Sequence, residues 1–151
     1  MSQRVVVTGM GAITPLGIGV AQMWSALIAG DNAVGPVRRF DASSLPVQFA
    51  AEAPDPGPQP DDLGDLKIRL AIAAAREALE GSGSVSGPRT GVCMGSEIGR
   101  PDLFELAERM GKDVSPDERD LARMDPATPT RRIAALSGAT GAQSTVSTAC
   151  T

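Results

Sequence analysis

The chain has 151 residues, enough for one ordinary domain with a packed core; 42% are apolar, only 3% are aromatic and none is Tyr. A net charge of −4, with Lys and Arg scattered rather than massed, argues against nucleic acid or an anionic membrane surface as partner. There is no histidine, so neither imidazole chemistry nor a His-containing metal site can come from this chain, and its two cysteines, Cys93 and Cys150, are too far apart in sequence to suggest a zinc site.

The opening "RVVVTGMG" is a β-branched run broken by glycine, which predicts a buried strand over residues 4–8. It lacks the long apolar region of a signal peptide, and no apolar run in the chain reaches the roughly 18–20 residues that span a bilayer. A cytosolic protein with two free thiols is expected. Next, Val20, Met23, Trp24, Leu27 and Ile28 recur at helical spacing and predict one apolar face packed on a sheet, with Gly30 as the C-terminal cap.

Val47, Phe49 and Ala51 alternate as in a half-exposed strand. Proline at positions 54, 56, 58 and 60 rules out helix or central strand, so residues 54–60 form an extended surface loop. "LKIRLAIAAAREALEGSG" is the strongest helix, apolar all round over residues 70–75 and therefore buried on most sides, with alanines that permit close approach of a neighbour and Gly81 and Gly83 at its end.

"TGVCMG" predicts a third strand over residues 91–94 that buries Cys93 as an inert core thiol. Residues 101–110 read as a helix, and "GKDVSPDERDLARMDPATP" as a charged, mobile surface stretch. "TRRIAALSGATG" predicts a short helix capped near Gly138, and "QSTVSTA" a fourth strand running into Cys150. The alternation of strands and helices indicates a layered α/β fold with a mixed, largely parallel sheet and packed helices.

Two stretches invite a functional reading. In "VTGMGAITPLG" a strand runs into Gly-x-Gly, but Thr14 stands where a dinucleotide fingerprint needs a third Gly or Ala, and Pro15 and Gly17 follow where a helix should begin. Tight turn chemistry is the better reading of those glycines, even with Asp31 at a suitable distance. In "VSTAC", a strand over residues 144–147 followed by a helix would set the Cys150 thiol at a helix N-terminus, where its pKa falls from about 8.5 toward roughly 7. The N–H groups of such a turn can also hold an oxyanion. A cysteine after a strand is also an ordinary core residue, so this stretch alone leaves both readings open.

Taken together, "RVVVTGMGAITPLG" at the start and "VSTACT" at the end closely resemble the elongating β-ketoacyl-acyl carrier protein synthases. "WSALIAG", "RRFDAS", "LAIAAAREALEGSG" and "TGVCMGSEIG" agree in order between them, so the resemblance covers the whole chain. It implies a thiolase-like layered α/β fold of which residues 1–151 form the incomplete N-terminal half, ending just after the nucleophile, with no separate second domain. It also implies that Cys150 takes the growing acyl group as a thioester from an acyl carrier protein. Decarboxylative Claisen condensation in fatty acid or polyketide biosynthesis would follow, in a cytoplasmic homodimer or heterodimer and with no cofactor or metal.

In that family the two histidines that assist condensation lie in the half not represented here, which fits a chain with none, and the 151 residues alone are expected to be inactive in condensation. A split or non-catalytic ketosynthase-like subunit, completed by or assembling with a second chain, is the alternative. The sequence departs from the family pattern at Asp61, Asp62 and Lys67, where a basic approach to the long helix and a Phe are usual. It departs again at Gly141-Ala142, in place of Gly-Pro, and in "PATPTRRIAAL", which lacks a common Asn. These differences mark a divergent member.

Overall fold

The computed structural model describes residues 4–83, 85–96, 111 and 117–147. They divide into two compact units, 1–57 with 73–83, and 58–72 with 84–151.

In the first unit, β1 (Ile13–Thr14) and β2 (Gly17–Ile18) form a small antiparallel pair that leads into helix α1 (Val20–Ala29). Gly30 closes α1 in the left-handed conformation, as expected. The apolar stripe of α1 is not covered, however: none of its residues is buried, and Trp24, Leu27 and Ile28 are each more than half exposed. The expected strand over residues 4–8 is also absent. Val5 is 95% exposed, and no other strand pairs with this run among the described residues; without a ladder, β-branched composition does not make a strand.

β3 (Val34–Pro36) pairs antiparallel with β4 (Phe49–Ala51). β4 falls where the alternation of Val47, Phe49 and Ala51 predicts a strand, but all three of its residues are exposed. The four prolines that follow lie in irregular backbone. Against the 73–82 part of helix α2 (Leu66–Ser82) runs the glycine-rich opening. A Cβ on Gly9 would lie 1.9 Å from the Ala78 carbonyl oxygen, and one on Gly11 1.9 Å from that of Ala74. These two glycines therefore serve close packing on an alanine-rich helix rather than a turn, while Gly83, at φ 73°, ends α2. Gly81 lies inside the helix.

In the second unit, Asp65 caps the start of α2 by accepting the Ile68 N–H, and Ile68 and Ile72 are buried. β5 (Val92–Gly95) and β6 (Gln143–Val146) form a parallel ladder, joined by contacts to helix α4 (Thr128–Ser137), which Gly138 caps. The charged stretch before α4 contains a further helix, α3 (Glu118–Met124). Its capping box is reciprocal: the Asp117 carboxylate accepts the Asp120 N–H and the Asp120 carboxylate accepts the Asp117 N–H. Local capping makes a helix of what its charge and prolines mark as loop. The described strands thus form three separate two-stranded sheets, one parallel and two antiparallel, within a partial α/β fold. The helix expected over residues 101–110 lies outside the described residues.

Candidate active site

The strand that leads toward the candidate nucleophile is β6. Its last residue, Val146, precedes Cys150 by four positions, and Cys150 itself lies outside the described residues. Backbone hydrogen bonds hold the approach to β6. Gly141 N donates to the Thr90 carbonyl at 2.9 Å, Val92 N to that of Ala142 at 2.9 Å, and Gly87 N to that of Gly138 at 2.8 Å. No side chain fits here: a Cβ on Gly141 would stand 2.6 Å from the Thr90 oxygen, and one on Gly91 2.6 Å from that of Ala142. The glycine of the divergent Gly141-Ala142 pair is thus a packing requirement of the β5–β6 entry.

In this ladder Val92 and Met94 are half-buried, with Gln143 and Thr145 as their register partners, while Cys93 and Gly95 pair with Ser144 and Val146. Thr145 reaches α4 through its hydroxyl, 2.6 Å from that of Thr130, so α4 covers the Met94–Thr145 face. Cys93 points to the opposite face and is exposed, which corrects the expectation of a buried core thiol: strand alternation puts it away from the covering helix. Thr130 is 1% exposed, and sequence reasoning does not single it out.

The acidic pair before α2 divides in role. Asp62 is nearly buried and accepts the N–H groups of Gln59 at 2.9 Å and Gly64 at 2.7 Å and the Arg69 Nε–H at 2.8 Å. These bonds, the Gln59 N–H first, hold its pKa down to about 2 although burial works in the other direction. Asp61 instead lies near Arg132, at 3.7 Å, beside a cavity of ≈ 170 Å³ also lined by Ile72, Ala135 and Leu136. That cavity carries an ion pair, and its described lining has no thiol or hydroxyl side chain. Asp61 (φ 56°) and Leu63 (φ 57°) both adopt the left-handed conformation, and the Leu63 carbonyl accepts guanidinium N–H groups from Arg119 and Arg123.

In the first unit the glycines of "VTGMGAITPLG" leave no phosphate cradle. Gly9 and Gly11 are in contact with α2, and the Glu77 carboxylate already accepts the Val20 N–H at the start of α1, where a pyrophosphate would meet a like charge. Among the described residues no group of three or more His, Cys, Asp or Glu is placed to hold a metal ion.

Residues 2–151 match the family described as Beta-ketoacyl synthase, N-terminal domain. The chain belongs to the β-ketoacyl synthase family. Among β-ketoacyl synthases of known name, it is 44% identical over 107 residues to 3-oxoacyl-(acyl-carrier-protein) synthase 2 of Coxiella burnetii, an alignment covering 64% of this chain and 26% of that protein. It is 34% identical, across all of its own length and 36% of the relative's, to a protein named for actinorhodin polyketide β-ketoacyl synthesis in Streptomyces coelicolor. The solved structure of the ishigamide ketosynthase/chain length factor superposes with a TM-score of 0.79 at 28% identity, covering 95% of this chain and 39% of that one. The chain therefore spans between about a quarter and two fifths of the β-ketoacyl synthases it matches, and its α/β fold is part of their thiolase-like fold.

Proposed function

We propose that this chain is the N-terminal portion of a β-ketoacyl-acyl carrier protein synthase that accepts an acyl group on Cys150. The observation that carries the reading is the family match through residues 2–151, which takes in the "VSTAC" run that begins at the last residue of β6. The Cys150 thiolate attacks the carbonyl carbon of an acyl thioester on a carrier protein. A bond from that carbon to the Cys150 sulfur forms, the carbon–sulfur bond to the carrier breaks, and the carrier thiolate takes up the proton that Cys150 gave up. Loss of CO₂ from a malonyl thioester then leaves a carbanion, which bonds to the acyl carbonyl carbon as the Cys150 thiolate departs.

The acyl carrier protein enters as partner because the Coxiella burnetii relative is named for it. A dimer, of like or unlike chains, is part of the same reading, and so is a cytosolic setting in which both thiols stay reduced. No helix among the described residues is long and apolar enough to cross a membrane. With no histidine in the chain, the 151 residues alone load an acyl group and do not condense it. The test is to supply acyl and malonyl carrier protein to the wild-type chain and to the Cys150→Ala variant. Acyl transfer to the wild type alone, without β-ketoacyl product, is the expected result; transfer to Cys150→Ala as well, or condensation by the 151 residues alone, contradicts the reading.

A second reading is favoured by the likeness to a ketosynthase/chain length factor. Here the chain is one subunit of a pair, and the second chain supplies the imidazoles. Restoration of condensation by a co-purifying histidine-containing chain distinguishes it.

A further inference from the structure

β6 lacks the buried apolar side chains that ordinarily fix the register of a strand. A strand is held in place by apolar side chains on its buried face, and a slip of one residue turns every side chain to the other face. In "QSTV" the face toward α4 carries Gln143, which is exposed, and Thr145, which is half-buried; the one apolar residue, Val146, lies on the other face and is 51% exposed. The bonds of the β5–β6 ladder are formed by backbone groups that every residue carries, so they do not distinguish one register from the next.

Besides the close fit of Gly91 and Gly141 at the entry of the ladder, one directional contact distinguishes them. The Thr130 hydroxyl lies 2.6 Å from the Thr145 hydroxyl, and Thr130 is among the most completely buried side chains of the described residues. Thr130 sits in the first turn of α4, after Thr128 and Pro129, both also buried, and the Thr128 hydroxyl anchors that turn by donating to the Ala122 carbonyl at 2.6 Å. A buried hydroxyl at such a place costs desolvation that a valine of the same shape would not, unless its hydrogen bond is kept.

We propose that Thr130 is a positioning residue: through Thr145 it fixes the register of β6 and so the point at which the chain delivers Cys150. The inference rests on the reading of Cys150 as the acyl acceptor. A one-residue slip of β6 shifts the chain that follows by about 3.3 Å, far more than the roughly 1 Å at which catalytic alignment is already lost.

The experiment uses the full natural polypeptide with any chain that accompanies it, and follows acyl transfer from an acyl carrier protein at saturating donor. Peptide mass separates Cys150 from Cys93. For Thr130→Val the expected result is a fall in Cys150 acylation of about 10–100-fold with the apparent KM little changed. Thr130→Ser, which keeps the hydroxyl, restores the rate. Alkylation of Cys93, exposed on the neighbouring strand, stays at the wild-type rate and reports that β5 itself is undisturbed.

Because Thr130→Val leaves the Thr145 hydroxyl unpaired and can lower stability, the double variant Thr130→Val/Thr145→Val decides the matter. It removes both polar groups and recovers the thermal midpoint, yet acylation remains low. Wild-type acylation in either valine variant, or recovery of rate together with stability in the double variant, overturns the inference. Acylation of Cys150→Ala at the wild-type rate overturns the underlying reading instead.

Discussion

Glu77 closes the N-terminus of α1 from a distance of 57 positions: its Oε1 accepts the Val20 N–H at 2.8 Å, while its Oε2 accepts that of Ala12 at 2.9 Å. Val20 is the first residue of α1, and the preceding Gly19 offers no side chain to cap it. The carboxylate therefore does from α2 what an N-cap residue does locally.

Replacement of Glu77 by Ala leaves both N–H groups without this acceptor and is expected to cost about 1–3 kcal/mol. Glu77→Gln keeps the shape and a single acceptor oxygen and is expected to fall between the two. Urea unfolding of the three proteins checks the order.

Gly11→Ala drives a methyl group against the Ala74 carbonyl, which belongs to helix backbone and cannot turn aside. A loss of about 1–3 kcal/mol is expected from such overpacking. Gly35→Ala has open space and an ordinary φ, so its thermal midpoint should match the wild type.

The Asp62 carboxylate makes stability depend on acid. Its folded pKa, about 2, lies below the unfolded value of 3.8, so its stabilisation is fully present above that value and is lost as pH falls through about 2. In the Asp62→Asn variant this part of the acid response disappears, and stability at neutral pH drops by about 1–2 kcal/mol after solvent screening. Thermal midpoints of both proteins between pH 5 and pH 2 test it; parallel curves contradict it.

What the sequence made legible is local. The long α2 helix and the Gly138-capped α4 follow from alanine content, apolar spacing and glycine at the end, all of which act within a few residues. The resemblance at the two ends of the chain likewise named the family that residues 2–151 match. Residues 4–8 form no strand despite their composition because a strand depends on a partner far away in sequence, which β-branched residues do not supply. The exposure of Cys93 is not legible in the sequence because which face of a strand a helix covers is a matter of tertiary placement. The pairs Glu77–Val20 and Thr130–Thr145 leave no periodic trace at all, since each joins polar side chains or backbone groups across the fold.

The most direct test of the central claim is the mass of the protein and its peptides after incubation with acyl carrier protein bearing a short acyl group. The expected result is one added acyl group, held as a hydroxylamine-labile thioester on the peptide that contains Cys150, and none on the peptide that contains Cys93. A protein that takes up no acyl group, or takes it up on Cys93, would contradict the assignment of Cys150 as the nucleophile.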